Sequence, residues 1–309
     1  MRLLIASRLD EDAEKVLRTR HDVVRCIGAS EPELAERARD RQAIVFRSGV
    51  TLGSSVLEAP DLRLLVRAGS GLDNLDMGTV TARGIELQRV PGPGAQAVAE
   101  MTFAHMLGLA RQLPLADRLL RQGRWAKGEL DAYNLHGKIL GIVGLGSIGT
   151  RVAELGSAWG MQVVGCVGKP SESRRRAYAD QGIQLLPDCG AVLESADFVS
   201  VHVPLDDGTR GMIGAAELRR MKPTGFLVNI ARGGVVDEDA LLDALREGRL
   251  SGAGLDVHVR EGEGQVSPLA ELPNVILTPH IGAATIDSQR EIGRIVVDIV
   301  DRFSREQGL

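Results

Sequence analysis

The sequence contains few aromatic residues, few cysteines and no excess of positive charge. Aromatic residues make up only 3% of the 309 residues, so a core has to be built mainly from aliphatic side chains. The three cysteines, Cys26, Cys166 and Cys189, lie far apart and lack metal-site spacing, so we expect reduced thiols and no metal. The net charge of −4 provides no general attraction to nucleic acid or anionic lipid, and we expect neither as a partner.

Long apolar runs are also missing. No uncharged stretch approaches the roughly 18 residues that a membrane-spanning helix needs. The apolar stretch near the N-terminus is too short for a signal peptide and is more typical of a first strand. We therefore expect a soluble, cytoplasmic protein. Its length suggests about two domains.

The chain is built from short apolar runs that alternate with charged, helix-like segments. The predicted strands of the first part are Leu3–Ala6, Val23–Cys26, Ala43–Phe46, Leu64–Val66 and Ile85–Leu87. Those of the second part are Ile139–Val143, Gln162–Cys166, Gln184–Leu186, Phe198–Val201, Phe226–Ile230, Gly254–Val257 and Val275–Leu277. This alternation predicts parallel sheets that are covered by helices on both faces.

The two series of strands are separated by the run Pro91–Gly94 and a helix-compatible stretch from Ala95 to Leu120. We interpret the Pro-Gly run as a domain boundary. The last predicted helix, Asp287–Phe303, leaves little chain for another domain, so it is expected to pack back on the first domain. The predicted organisation is one domain from residues 1–95 and 284–309 and a second domain from residues 96–283.

The most informative motif is the glycine turn Gly144-Leu145-Gly146-Ser147-Ile148-Gly149, which follows a predicted strand and precedes a helix-like pattern. In this context Gly-x-Gly-x-x-Gly predicts dinucleotide binding. Gly144 makes the tight turn, Gly146 lets the backbone approach the pyrophosphate, and Gly149 allows close packing of helix and strand. The pyrophosphate is expected to lie against free N–H groups at the start of the helix.

A cation, a carboxylate and an imidazole follow three later strands. They are Arg232, Glu261 and His280. Ligands of open α/β sheets bind at the carboxyl ends of the strands, so these side chains are expected to face a nicotinamide. A histidine can exchange the proton that accompanies hydride transfer, and an arginine can bind a carboxylate through two parallel hydrogen bonds. The pattern predicts reduction of a 2-oxo acid or oxidation of a 2-hydroxy acid.

Together these residues resemble the D-isomer-specific 2-hydroxyacid dehydrogenase family, especially its phosphoglycerate dehydrogenase branch and its glyoxylate and hydroxypyruvate reductases. Besides the glycine turn, the resemblance rests on Val66–Asn74, His202–Leu205, Asn229–Glu238, Gly254–Val257 with Glu261, and Thr278–Gly282. It covers nearly the whole chain. It implies two doubly wound parallel-sheet α/β domains, with a Rossmann nucleotide domain inserted into a flavodoxin-like substrate domain. It also implies hydride transfer across an interdomain cleft, in a homodimer.

The resemblance implies a role for individual residues. Arg232 binds the substrate carboxylate and 2-oxo group, His280 is the acid/base, and Glu261 orients His280 and raises its pKa. Ser70 and Gly71 hold the carboxylate through backbone N–H groups, and Arg47 faces a distal anion of the substrate. The expected cofactor-binding residues are Gly144, Gly146, Ser147, Ile148, Gly149, Lys169, His202, Pro204, Thr209, Ile230, Ala231 and Asp256.

The sequence departs from the family pattern in three places. Members that prefer NAD usually carry an acidic residue where Val167 stands, and here Lys169 and the run Arg174–Arg176 follow, which favours NADP. The alternative is that these arginines form a solvated helix face and that NAD binds without the acidic contact. Gly94 stands where relatives often have an asparagine, so we expect an altered substrate choice. The chain stops after the last helix, so we expect no C-terminal serine-sensing domain.

Other functions fit parts of this pattern. A methyltransferase can open with the same glycine motif, but it leaves Arg232, Glu261 and His280 without a role. A nucleotide-sensing corepressor on the same fold stays an alternative, although the sequence has no basic patch for a partner. A phosphite or phosphonate-type dehydrogenase is also open, since Arg232 and His280 suit an anionic substrate. Formate is disfavoured, because formate dehydrogenases of the family carry an amide where this chain has Glu261.

Overall fold

The computed structural model describes residues 1–72 and 74–309 and divides into two compact units. Unit 1 comprises Met1–Gly94 and Ala284–Leu309, and unit 2 comprises Ala95–Ala283. The first limit lies one residue before the predicted domain boundary, and the second limit coincides with the predicted one. Asp73, which belongs to the predicted substrate loop, lies outside the described residues.

Unit 1 is a five-stranded parallel sheet. Its strands are β1 (Arg2–Ile5), β2 (Asp22–Arg25), β3 (Ala43–Phe46), β4 (Leu64–Arg67) and β5 (Glu86–Arg89). Its helices are α1 (Glu11–Arg20), α2 (Glu31–Ala38), α3 (Ser54–Leu57), α4 (Met77–Arg83) and α12 (Ile286–Glu306). The strand order β2-β1-β3-β4-β5 is that of a flavodoxin-like, doubly wound sheet.

Successive residues of a strand point to opposite faces of the sheet, and both faces of unit 1 are covered. On β1, Leu3 and Ile5 pack in a cluster with residues of α1 and α12. Leu4 packs on the other side, in a cluster with residues of α2, α3 and α4. Helix α12 contacts α1 and β4, so the end of the chain completes the first core.

Unit 2 is a seven-stranded parallel sheet. Its strands are β6 (Ile139–Val143), β7 (Gln162–Cys166), β8 (Gln184–Leu185), β9 (Phe198–Val201), β10 (Phe226–Asn229), β11 (Gly252–Leu255) and β12 (Val275–Leu277). Its helices are α5 (Gly92–Ala110, starting at the boundary), α6 (Leu113–Arg121), α7 (Ser147–Ala158), α8 (Glu172–Asp180), α9 (Cys189–Ser195), α10 (Ala215–Leu218) and α11 (Glu238–Arg246), with a 3₁₀ helix at Pro268–Glu271. The order β8-β7-β6-β9-β10-β11-β12 contains the Rossmann order.

The structure corrects the single helix predicted from Ala95 to Leu120. Helix α5 begins earlier, inside the Pro-Gly run, because proline is tolerated in the first turn of a helix. It ends at Ala110, and Gln112 adopts a left-handed backbone with φ of 51° before α6 starts. Pro114 lies in the first turn of α6. Its ring clashes with the Ala110 carbonyl in a continuous helix, so the helix breaks although the apolar pattern continues.

The other predicted strand limits lie within two residues of the observed ones. Shifts of two residues occur at β5, which ends at Arg89 rather than at Leu87, and at β11, which ends at Leu255 rather than at Val257. Asp256 therefore stands just after the strand, at the edge where the candidate site lies. None of the described helices combines the length and apolar character that crossing a bilayer requires.

Candidate active site

The glycine turn, which is predicted to bind the pyrophosphate of a dinucleotide, connects β6 to α7. Gly144 has φ of 97°, and a Cβ there would lie 2.5 Å from the carbonyl oxygen of His202. A Cβ on Gly149 would lie 2.0 Å from the carbonyl oxygen of Gly144. By contrast, apart from the adjoining residues of the turn and helix, no atom of the described chain lies within 4 Å of a Cβ on Gly146, so this backbone segment is open to a ligand. The predicted cofactor residues Ser147 and Ile148 open α7.

The loop after β7 carries the residues predicted to select the cofactor. Val167 is half-buried and packs against an apolar cluster of unit 2. Lys169 and the three arginines that follow are exposed, and Arg176 pairs with Glu172 at 3.5 Å. The loop therefore presents positive charge, and the residue at the end of β7 offers no carboxylate to a ribose.

The loop after β9 is braced by its own side chains. The Oγ of Ser200 lies 2.7 Å from Nε2 of His202, and burial lowers the pKa of His202 to about 3, so this ring is neutral near pH 7. The Oγ1 of Thr209 donates a hydrogen bond of 2.6 Å to the carbonyl of Pro204. Thr209, a predicted cofactor residue, thus closes the loop that carries the predicted residues His202 and Pro204.

Arg232 lies in the loop after β10, and Asn229 at the end of that strand holds the loop in place. Asn229 accepts a 3.1 Å hydrogen bond from the Ala231 N–H and donates one of 3.0 Å to the Arg232 carbonyl. The Nη1 of Arg232 donates to the Ala231 carbonyl at 2.7 Å. A Cβ on Gly233 would lie 2.0 Å from the carbonyl oxygen of His258, so glycine lets this loop lie directly against the loop after β11.

Glu261 and His280 are in direct contact. The Nδ1 of His280 lies 2.8 Å from Oε2 of Glu261, and Oε1 accepts a 3.1 Å hydrogen bond from the backbone N–H of His258. Burial raises the pKa of Glu261, but the hydrogen bonds from His280 and His258 outweigh burial and lower it. The His280 side chain is 32% exposed, and no hydrogen bond joins its Nε2 to the described part of the chain. Nε2 is therefore the ring atom that this contact leaves available to a ligand.

The turn that carries His280 is held by Asp256. His280 has φ of 54°, a left-handed conformation that is unfavourable for residues other than glycine. The Asp256 carbonyl accepts a 2.7 Å hydrogen bond from the His280 N–H. Its carboxylate, in a side chain that is 1% exposed, accepts from Ile281 N–H at 2.9 Å, Gly282 N–H at 2.7 Å and Thr278 Oγ1 at 2.6 Å. The role of Asp256 at the cofactor stays a prediction. Its role in holding the His280 turn was not predicted from the sequence.

The three loops pack into one site within unit 2. A Cβ on Gly282 would lie 2.9 Å from Cγ2 of Ile230, so the histidine loop rests on the end of β10. Ile230 and Ala231, both predicted cofactor residues, are buried there. The structure thus brings the loops of Arg232, Glu261 and His280 into contact.

Unit 1 carries the predicted substrate loop after β4. Arg67 is buried at the end of that strand, and its Nε donates a 2.7 Å hydrogen bond to the Gly71 carbonyl. A Cβ on Gly69 would lie 2.9 Å from Nη1 of Arg67, so glycine makes room for the guanidinium beneath the loop. Ser70 is exposed at the tip. Arg67 therefore supports the loop that carries the predicted backbone donors Ser70 and Gly71. This role of Arg67 was not predicted from the sequence.

Arg47 follows β3, the neighbour of β4 in the sheet of unit 1. Its side chain is half-buried, and burial lowers the pKa of Arg47. Across residues 1–72 and 74–309, no carboxylate forms an ion pair with this guanidinium. Arg47, Ser70 and Gly71 belong to unit 1, and all other predicted site residues belong to unit 2.

Residues 103–282 match the profile of the D-isomer specific 2-hydroxyacid dehydrogenase, NAD binding domain. The D-3-phosphoglycerate dehydrogenase of Methanocaldococcus jannaschii is 37% identical over 306 residues, which are 99% of this chain and 58% of that protein. The hydroxypyruvate reductase of Thermotoga maritima is 33% identical over 313 residues, covering 100% of this chain and 99% of that protein. The chain belongs to the D-isomer-specific 2-hydroxyacid dehydrogenase family. It spans little more than half the length of the phosphoglycerate dehydrogenases that it matches.

A solved structure of the family agrees with the fold. The NADPH-dependent glyoxylate/hydroxypyruvate reductase from Sinorhizobium meliloti, solved with NADP and malonate, has a TM-score of 0.85 at 30% identity and covers 97% of this chain and 92% of its own. The predicted fold class is therefore confirmed, with two doubly wound parallel sheets. Unit 2 is the nicotinamide-nucleotide-binding domain of this dehydrogenase family.

Proposed function

We propose that this dehydrogenase-family protein interconverts a small 2-oxo acid and the D-2-hydroxy acid with NAD(P)(H). The observation that carries the proposal is the 2.8 Å contact between His280 Nδ1 and Glu261 Oε2, packed beside the arginine loop. The same unit contains a glycine turn that fits a dinucleotide. The names of the relatives, D-3-phosphoglycerate dehydrogenase and hydroxypyruvate reductase, support a substrate of this chemical class.

In this proposal the protein supplies a proton and binds charge. The bound nicotinamide supplies or accepts the hydride at C2 of the substrate. Arg232 binds the substrate carboxylate and polarises the adjacent carbonyl. During reduction the carbonyl oxygen becomes negative, and the Nε2–H of protonated His280 donates to it. Glu261 accepts from Nδ1–H, which orients the ring and stabilises the imidazolium before the proton leaves. In oxidation, neutral Nε2 accepts the hydroxyl proton instead.

Unit 1 is proposed to supply the remaining substrate contacts. The backbone N–H groups of Ser70 and Gly71 bind the carboxylate, and Arg47 binds a second anionic group of the substrate. A half-buried guanidinium without an ion-pair partner among the described residues supports this second role, because a desolvated cation gains most from binding an anion. Phosphohydroxypyruvate carries such a group, whereas glyoxylate does not.

NADP is proposed as the preferred cofactor. Val167 offers no carboxylate to a ribose, and the exposed Lys169 and Arg174 provide positive charge for a 2′-phosphate. The S. meliloti reductase shows that a similar protein uses NADPH, and the choice proposed for this chain rests on the loop after β7.

A homodimer in the cytoplasm completes the proposal. Helix α6 has no buried residue, and its Leu113 and Leu120 are exposed, as is Trp125 just beyond it. Exposed apolar residues grouped along one segment are typical of protein–protein contacts, which supports the proposed dimer. The proposed location in the cytoplasm is supported by the three free cysteines, because free thiols persist in a reducing compartment. Multi-angle light scattering at micromolar concentration would distinguish a dimer from a monomer.

The test is a substrate panel read through oxidation of NADPH or NADH. It contains glyoxylate, hydroxypyruvate, phosphohydroxypyruvate, pyruvate and bulkier 2-oxo acids, with phosphite tested in the opposite direction. On the best acid, His280→Ala is expected to lower kcat by about 100-fold or more, the scale of general acid catalysis. The matched control is His136→Ala, an exposed histidine of the same unit, which is expected to leave kcat unchanged. Cofactor binding without turnover of any acid would contradict the proposal and favour a nucleotide-sensing protein.

A further inference from the structure

Two histidines outside the predicted site meet at Thr278, two residues before His280. The Nε2 of His105, on α5, lies 3.0 Å from Oγ1 of Thr278. The Nε2 of His258, in the loop after β11, lies 3.0 Å from the carbonyl oxygen of the same threonine. Neither histidine belongs to a motif, and the proposed reaction assigns neither a role.

The direction of each hydrogen bond follows from its acceptor. The Thr278 hydroxyl gives its only proton to the Asp256 carboxylate at 2.6 Å, so its oxygen can only accept from His105. A carbonyl oxygen has no proton to give, so His258 must donate as well. Both rings therefore carry a proton on Nε2.

The second ring nitrogen of each histidine, Nδ1, makes no hydrogen bond within the described chain, so Nε2 is the only nitrogen of each ring that does. The Nδ1 atoms of His105 and His258 are buried without a hydrogen-bond partner among the described residues. His105 is 2% exposed, and a Cβ on Gly254 would lie 2.6 Å from its Nδ1. Burial lowers the pKa of His105, although the charge of Asp256 opposes it. A buried, unpaired nitrogen is unfavourable, so an apolar side chain would suit this place better unless the donated Nε2–H is needed.

What the two rings hold is the turn of His280. The Thr278 carbonyl that accepts from His258 also accepts a 3.1 Å hydrogen bond from the His280 N–H. The backbone N–H of His258 donates a 3.1 Å hydrogen bond to the Glu261 carboxylate. His258 therefore contacts both Glu261 and the turn that carries His280. We propose that His105 and His258 are positioning residues that fix the left-handed turn on which His280 meets Glu261, an inference that rests on the proposed role of His280.

The first test separates the donated bond from the volume of the ring. His105→Leu removes the donor, whereas His105→Gln places an amide N–H close to the position of Nε2. We expect kcat to fall about tenfold in the leucine variant, the size of one neutral hydrogen bond, with KM for the cofactor unchanged. The glutamine variant should recover most of kcat. His258→Phe and His258→Gln form the second matched pair. Equal losses in both members of a pair, or no loss in either, would overturn the proposal.

The second test locates where each ring acts. Thr278→Val removes the hydroxyl but keeps the carbonyl. In this background, His105→Leu should have little further effect on kcat, whereas His258→Phe should keep its full effect. The control is His21→Leu in unit 1, where Nε2 contacts Asp301 at 2.9 Å and Nδ1 is buried without a partner in the described chain. This variant is expected to lower stability and to leave kcat unchanged.

A third measurement needs no turnover, so it distinguishes failure of this inference from failure of the proposed function. In ¹⁵N–¹H correlation spectra of the imidazoles, His105 and His258 should show the Nε2–H tautomer. The ring signals of His280 should shift in His105→Leu and return in His105→Gln. An Nδ1–H tautomer, or an unchanged His280 spectrum in the leucine variant, would refute the positioning role even if no acid in the panel is reduced.

Discussion

Replacing Asp256 by asparagine tests how the catalytic turn is held. The aspartate side chain is 1% exposed, and its carboxylate accepts hydrogen bonds from the Thr278 hydroxyl and from the N–H groups of Ile281 and Gly282. Asparagine has nearly the same shape but only one acceptor oxygen. If that oxygen faces Ile281, the new amide donor faces the Gly282 N–H, and if the amide is flipped it faces the Ile281 N–H. In either orientation a buried backbone donor loses its partner.

The magnitude follows from these contacts. Leaving one buried donor unsatisfied costs about 1–3 kcal/mol, and the remaining bonds lose the strength that a charged acceptor gives them. We expect Asp256→Asn to lower the free energy of unfolding by about 3 kcal/mol, which for a domain of this size is a fall in Tm of about 6–12 °C. The bond from the His280 N–H to the Asp256 carbonyl remains, but the residues on either side of His280 are held less firmly, so kcat should fall by more than tenfold.

The assay combines thermal unfolding with kcat on the best acid. The control is Asp197→Asn in the same unit, where the carboxylate accepts from the Ile139 N–H and from Nζ of Lys222, each at 2.8 Å, and contacts no predicted site residue. This control should lower Tm and leave kcat unchanged. If Asp256→Asn keeps kcat within a factor of two while losing stability, the carboxylate does not organise the catalytic turn. If Tm does not fall, the hydrogen-bond reasoning is wrong.

Three further predictions concern the pair of Glu261 and His280, the proposed 2′-phosphate site at Lys169 and the proposed distal anion site at Arg47. Glu261→Gln should lower kcat about tenfold at pH 7. The pKa of Glu261 is lowered, so the parent keeps its carboxylate charged down to acidic pH. The difference in kcat between parent and variant should therefore narrow only at a pH low enough to protonate Glu261 in the parent. Lys169→Ala should reduce kcat/KM for NADPH but not for NADH, with Arg302→Ala as the charge-matched control; a tenfold preference of the parent for NADH would refute the NADP choice. Arg47→Ala should raise KM for phosphohydroxypyruvate at least tenfold and leave that for glyoxylate unchanged, and equal effects on both acids would exclude a distal anion site.

The sequence predicts well those features that depend on neighbours in the chain. The spacing of Gly144, Gly146 and Gly149 indicates the turn directly, because the whole motif lies within six consecutive residues. Short β-branched runs mark the strands within two residues. The break at Gln112 was missed because apolar periodicity continues through it, and only the ring of Pro114 opposes a continuous helix.

The supports of the site depend on contacts between distant parts of the chain. His105 and Thr278 are 173 residues apart, and no periodicity in α5 distinguishes a histidine that reaches a threonine from one that fills the core. Asp256 precedes its partners by about two dozen residues, and its anchoring role appears only when β11 and β12 lie side by side. The residues that act on a substrate carry a chemical signature, whereas those that position them carry none.

The left-handed backbone of His280 explains why so many bonds converge on this turn. That conformation costs a residue with a Cβ about 1–2 kcal/mol, yet glycine cannot supply an acid, so the strain accompanies the imidazole. Each hydrogen bond that Asp256 accepts, and each one that His105 or His258 donates, contributes about 1 kcal/mol. Together these bonds exceed the strain, and no single bond is indispensable. Removing either histidine should therefore leave the turn folded but looser. We accordingly expect His105→Leu to lower kcat by a larger factor than its small fall in Tm suggests, and a variant that lost stability first would contradict this account of the turn.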